Sequence, residues 1–247
     1  MLTVYLANAL LVLVRLLPLL VASPVMFFAR IPLSVRVILA LVLAGVMGSS
    51  LPNQVIPPIS IPILAGEFLL GAVFAFGFHA AHGAVDMVGK LIDTQVGLNA
   101  AGVFDPATAT TTGLLAELIT LGFALLFVAL DMHHALLMVF STMLAGIPPG
   151  SVSMSVLSIS LAPILAQQFL LAFMIVAPVL LALWLTDAAF ALMSRSMPQA
   201  NIYFLALPVK MAVGVFVLLL TLPVMVQRIP LLFENALRFG AQLAGDQ

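Results

Sequence analysis

Cysteine is absent from this sequence, which removes disulfides, thiolate nucleophiles and cysteine-ligated metals from consideration. Charge is nearly absent. There are 8 lysines and arginines and 9 acidic residues in 247, or 7%. A soluble domain carries about 25% charged residues to cover its surface, so a soluble enzyme, a disordered tail and a coiled coil are all excluded. The formal net charge of -1 excludes a basic nucleic-acid binder. No HExxH, G-x-S-x-G or GxxxxGK[ST] pattern occurs, and a motif-based enzyme has nothing to stand on. What fills the chain instead is apolar: 64% of residues, with a mean hydropathy of +1.30. These features describe an all-α integral membrane protein.

The charge-free stretches locate the helices. Residues 37–66 and 132–186 hold no charged side chain, and about 20 mostly apolar residues cross a bilayer core. The pattern predicts six long helices, at about 4–28, 34–51, 62–83, 113–137, 160–186 and 202–227. Their long continuous apolar runs exclude barrel strands. The first run has no basic leader, since its first cation is Arg15, so it is read as a retained helix rather than a cleaved signal. Ile31-Pro32-Leu33-Ser34 marks a helix start between Arg30 and Arg36. Residues 86–112 form the most polar connection, and Pro148-Pro149-Gly150 opens a serine-rich one. No tandem repeat or second soluble domain is visible, and the chain is read as one membrane domain, 1–247.

Three features fit a lipid-bathed bundle poorly. Arg30, Arg36, Lys90 and Arg195 fall in alternate connections and place those on the cytoplasmic side, yet six spans then put Arg228 and Arg238 on the other. Pro18, Pro24, Pro163, Pro178, Pro208 and Pro223 fall inside apolar runs, giving either ordinary kinked spans or helical hairpins broken for packing on neighbours. Arg15, Glu67, Glu117, Asp187 and Lys210 lie in or near apolar runs. An ion at a helix centre costs about 2.5–3.5 kcal/mol, so these need partners in protein or water, snorkelling at the helix ends being the alternative for Glu67 and Asp187. His79, His82 and Asp86 share a helical face, readable as a polar packing or pore-facing stripe, or as half a metal site. His133 and His134 are adjacent and expected to point in different directions. The thirteen methionines read as core filler, some able to form a deformable seal.

The segment Gln95 to Pro106 is apolar, rich in small residues and closed by an Asp-Pro turn. It is either a surface connector or a re-entrant loop. Non-helical backbone at membrane depth must be buried in protein or line a cavity.

The most specific motif is Arg195-Ser196-Met197-Pro198-Gln199-Ala200-Asn201, followed by Pro208-Val209-Lys210. It resembles the R-x-x-P-Q-x-N and P-x-K patterns of the FliR/SctT family of type III secretion export-gate subunits. Gln95 to Pro106 is similar to that family's Q-x-G-L segment running to V-D-P, with Phe104 in place of valine. Phe127 to His134 resembles its N-G-H stretch, with Asp131 and Met132 replacing Asn and Gly, and Arg30-Ile31-Pro32 with Arg36 resembles its first loop. The resemblance covers essentially the whole chain.

It implies tilted, kinked hairpins, a FliP-like part followed by a FliQ-like part, with a re-entrant plug loop. The implied plug residues are Val96, Gly97, Leu98, Asn99, Gly102, Val103, Phe104, Asp105 and Pro106. The implied partner-contacting or structural motif residues are Arg195, Pro198, Gln199, Asn201, Pro208 and Lys210. The resemblance further implies FliP-like and FliQ-like subunits in a hetero-oligomeric ring, FlhB-like and FlhA-like export components, and unfolded protein substrates. It implies no catalytic residue, cofactor, metal or nucleic acid. The place is the bacterial inner membrane, within the flagellar basal body. The P-Q-x-N and V-D-P-like segments favour the flagellar over the injectisome form. A secondary transporter using His79, His82, Asp86 and Lys210 is the competing reading, opposed by the lack of an inverted repeat. An intramembrane hydrolase lacks any visible base and nucleophile.

Overall fold

The computed structural model describes residues 2–21, 31–51, 59–97, 113–152, 160–197 and 202–245, and these form eight helices. They are α1 (Leu2–Val21), α2 (Leu33–Ser50), α3 (Ile61–Val96), α4 (Leu114–Ala129), α5 (Met132–Gly146), α6 (Ala162–Ser196), α7 (Ile202–Arg228) and α8 (Pro230–Gly245). Five stretches are long and apolar enough to cross a membrane, and a sixth arises if α4 and α5 count as one broken span. Among the described residues there is no strand. The all-α membrane fold expected from composition is therefore the fold observed.

The helices differ from expectation in informative ways. α3 runs 36 residues, about 54 Å at 1.5 Å per residue, and does not stop near residue 83. Lys90, expected in a connection, sits inside it and pairs with Asp86 one turn earlier at 2.6 Å. The extension is amphipathic rather than uniformly apolar: Ala84, Val85, Val88, Ile92 and Val96 are buried at three- and four-residue spacing. α6 likewise reaches Ser196.

The fourth predicted helix is broken instead at Leu130 and Asp131, where Asp131 takes a left-handed φ of 53°. Pro18, Pro178, Pro208 and Pro223 do lie inside helices. Pro163 is in the first turn of α6, where no intrahelical donor is missed. α8 is unforeseen. Leu232, Phe233, Ala236 and Leu243 are buried while Glu234 and Arg238 stay outside, so its average hydropathy hides it.

The residues cluster into two compact units. The first takes Met1–His82, Phe127–Gln167 and Phe233–Gln247; the second takes Gly83–Leu126 and Gln168–Leu232. In the first unit α1 and α2 form an antiparallel hairpin. The Arg36 side chain donates to the carbonyls of Val21 and Ile31, both at 2.9 Å, and so closes it. At the other end, the Tyr5 hydroxyl donates to the Gly45 carbonyl at 3.2 Å. α1 also meets α3 so closely at Gly71 that any Cβ there would strike the Arg15 backbone. The core centres on Phe74, which packs edge-on against Phe78 at 5.7 Å and tilted against Phe140 at 6.0 Å. Phe127 packs tilted against Phe233 at 4.9 Å.

The first unit also buries an ion pair. Arg15 and Glu67 are both fully buried, with Nε to Oε2 at 2.6 Å. Arg15 donates further to the Ile147 carbonyl at 2.8 Å, and the other Glu67 oxygen accepts from the Gly150 amide at 2.7 Å. These two ions pair inside protein, as their places in apolar runs required, with Arg15 Nη2 left without a hydrogen bond among the described residues, and Glu67 does not snorkel.

Candidate functional site

The second unit gathers the chemistry-bearing residues around the two stems of the segment that joins α3 to α4. Asp93, one turn before the end of α3, is fully buried. Its two carboxylate oxygens accept from the Leu115 and Ala116 amides at 3.0 and 2.8 Å. Those are unsatisfied donors of the first turn of α4, where the helix dipole favours a negative charge. One side chain thus ties the last turn of α3 to the first turn of α4. Gly113 sits so close to the Asp93 carboxylate that no larger residue fits.

Replacing Asp93 by alanine strands both amides. Thermal unfolding of the chain purified with the subunits that accompany it should show a loss of about 1–3 kcal/mol, with Asp93→Asn intermediate because an amide oxygen can satisfy one donor. Equal stability of all three proteins would reject the clasp.

α3 ends at Val96, and Gly97 turns the chain with a φ of 85° that only glycine adopts freely. Val96 is buried, and its side chain fills the space left by the missing side chain of Gly214 on α7. Leu207, also on α7, lies against Gly97. Three residues beyond Leu207, Lys210 reaches across to Asp187 on α6, with Nζ to Oδ1 at 2.7 Å. This pair explains two more of the charges found in apolar runs. The stems are therefore built from α3, α4 and α7, with α6 joined to α7 by the Lys210 pair.

The profile of the bacterial export proteins, family 1, matches residues 6–236. The chain belongs to this family. The resemblance to FliR/SctT drawn from its motifs is thereby borne out. The flagellar biosynthetic protein FliR of Escherichia coli (strain K12) is 25% identical over 238 residues, covering 95% of this chain and 91% of its own. Its counterpart in Bacillus subtilis (strain 168) is 27% identical over 222 residues, covering 87% and 86%. The secretion system apparatus protein SsaT of Salmonella typhimurium is 27% identical over 229 residues, covering 78% and 84%.

Of the family motif positions, Val96 and Gly97 stand at the stem, and Lys210 is held by Asp187 close to it. Pro208 is exposed within α7 and Arg195 is exposed at the end of α6. Leu98, Asn99, Gly102, Val103, Phe104, Asp105, Pro106, Pro198, Gln199 and Asn201 lie outside the described residues.

The stripe on α3 does not converge into a ligand set, because Asp86 is committed to Lys90. His133 and His134, expected to diverge, instead lie with ring centroids 4.2 Å apart. The break before α5 tightens the chain there and swings both rings toward Asp131.

The sequence reading missed Asp93 as a site residue. Nothing within a helical turn of it hints that it caps a helix twenty residues on. It also missed Asp187 as the partner of Lys210, although a lone acid and a lone base in neighbouring apolar runs were the available signal.

Proposed function

We propose that this chain is a channel-forming subunit of a type III protein export gate, of the flagellar form, in the bacterial inner membrane. In this reading it joins FliP-like and FliQ-like subunits in a hetero-oligomeric ring, next to FlhB-like and FlhA-like components. Unfolded substrate proteins thread through the central conduit. The chain does no chemistry itself; the proton-motive force and an ATPase elsewhere supply the drive.

The observation that carries this is the contrast between paired ions and uncovered apolar faces. The charges in apolar runs pair within the chain, as Arg15–Glu67 and Lys210–Asp187 do. The apolar surface stays open: only 11% of the most apolar stretch of Phe204–Leu243 is buried. Phe204, Leu205, Met211, Phe216, Leu219 and Leu220 all face outward. α3 and α6 exceed the roughly 30 Å of a bilayer core by more than half. Helices this long with this much apolar face suit a sheath of other helices better than lipid alone. The family relatives named as flagellar and secretion-apparatus proteins support the same reading.

Within it, the segment beginning at Val96 and Gly97 and running to Pro106 is the plug. Leu98, Val103 and Phe104 would exclude water from the bore, since an apolar constriction gates by dewetting. The Asp93 clasp holds its two stems together while substrate pushes the segment aside.

Co-expression tests the assembly. Produced alone, the chain should be degraded or aggregate in detergent; produced with its FliP-like and FliQ-like partners, it should elute with them as one stable particle. A chain that is equally stable and monodisperse by itself would favour a self-sufficient transporter instead.

A further inference from the structure

We propose that Asp131, His133 and His134 form a binding site for a divalent transition ion of borderline softness, with Zn²⁺ as the type case. One ligand atom from each of the three residues lies within 4.8 Å of the other two. The Asp131 carboxylate oxygen stands 3.9 Å from His133 Nε2 and 3.7 Å from His134 Nδ1. Both distances are too long for hydrogen bonds. They are close to the donor spacing that an ion imposes, since Zn–N and Zn–O bonds of about 2.0–2.2 Å in a tetrahedron set donors about 3.3–3.5 Å apart. The widest separation in the set, up to 4.8 Å, is closed by χ rotations of the side chains.

Two features mark the cluster as more than polar residues at a helix end. Asp131 occupies the N-cap position of α5, where an aspartate ordinarily accepts a hydrogen bond from the first turn. Here the side chain makes no such bond. The left-handed backbone at Asp131, with φ 53°, turns its carboxylate toward the imidazoles instead. That conformation is uncommon for a residue with a Cβ, and an ion held by all three side chains would compensate it. The second feature is His133 Nδ1, a buried atom that makes no hydrogen bond. Nothing there dictates which ring nitrogen carries the proton, so Nε2 is able to offer its lone pair.

The donor set is two imidazoles and one carboxylate, which suits zinc and its neighbours rather than Ca²⁺ or Mg²⁺. Three protein donors leave a fourth position for water or for an outside ligand. A bound ion would fasten the turn between α4 and α5, whose own backbone bonds are Asp131 N to Val128 O at 3.1 Å, His134 N to Asp131 O at 2.9 Å and Ala135 N to Asp131 O at 3.3 Å. The site stands independently of the export reading, because binding is read on the chain itself.

The test uses the full chain purified in detergent with the subunits that accompany it, through an affinity tag without histidine. Zn²⁺ is titrated against a chromophoric chelator, alongside the triple variant D131N/H133Q/H134Q. The expected result is one more Zn²⁺ per chain in the parent than in the triple variant. His134→Gln alone should lower the affinity at least about tenfold, and Co²⁺ should give tetrahedral absorption bands in the parent only. Zn²⁺ should also raise the melting temperature of the parent and not of the triple variant. The side chains of Asp131, His134 and His133 are 73%, 66% and 38% exposed, and equal melting temperatures without metal check that the variants keep the fold. A His79→Ala/His82→Ala variant should bind as the parent does. Equal stoichiometry in parent and triple variant, or unchanged affinity in His134→Gln, overturns the site.

Discussion

Replacing Arg15 by methionine should cost the first unit about 3–5 kcal/mol, because it leaves the Glu67 carboxylate buried with no counter-charge. Glu67→Gln alone should be similarly damaging, since it strands the guanidinium among α1, α3 and the Ile147 carbonyl. The double variant R15M/E67Q should be more stable than either single one. In it no net charge remains inside, and the Gln oxygen still accepts from the Gly150 amide that Glu67 now binds. Melting temperatures of the purified complex, together with the amount of chain in isolated membranes, measure all four proteins. Strict additivity of the two single losses in the double variant would mean that the pair does not act as a unit. The pair also fixes two helices to one loop: Arg15 links α1 to the loop after α5, and Glu67 links α3 to it.

Removing Leu98–Pro106 should leave assembly intact and make the membrane leaky to small ions. The deletion spares Val96 and Gly97, whose packing against Gly214 and Leu207 belongs to the scaffold. It also spares Asp93, which lies one helical turn before Gly97 and binds the Leu115 and Ala116 amides at the start of α4. Residues 107–112, at up to about 3.3 Å each, can reach about 20 Å and still join them. Cells carrying the deletion should lose membrane potential, read by a voltage-sensitive dye, only when the partner subunits are present to complete the ring. An intact potential in cells that demonstrably contain the assembled complex removes the plug from the proposal. The injectisome form would share this outcome, and the substrates exported by the parent gate separate the two.

Much of this was legible in the chain. The rarity of charge, the uninterrupted apolar runs and the motifs around Arg195 and Lys210 led to the membrane fold and to the family. Helix ends were less legible. α3 was expected to stop near residue 83 because Asp86, Lys90 and Asp93 look like the start of a polar connection. Each of them is satisfied inside or beside the helix: Asp86 by Lys90, and Asp93 by two amides of α4. A window average cannot tell a polar loop from an amphipathic helix whose ions are all partnered. α8 escaped for the same reason.

The sequence by itself determined that this chain needs an apolar environment. Burying so much hydrocarbon with so few ions leaves no other state that water tolerates, and that is a property of composition. Composition also required that Arg15, Glu67, Asp187 and Lys210 find partners, without saying which. Only the tertiary structure decided the pairings. Partnership depends on which helix faces which, and residues 52 positions apart, as Arg15 and Glu67 are, leave no local trace of meeting. The convergence of Asp131, His133 and His134 was decided the same way, by a left-handed turn that no periodicity encodes.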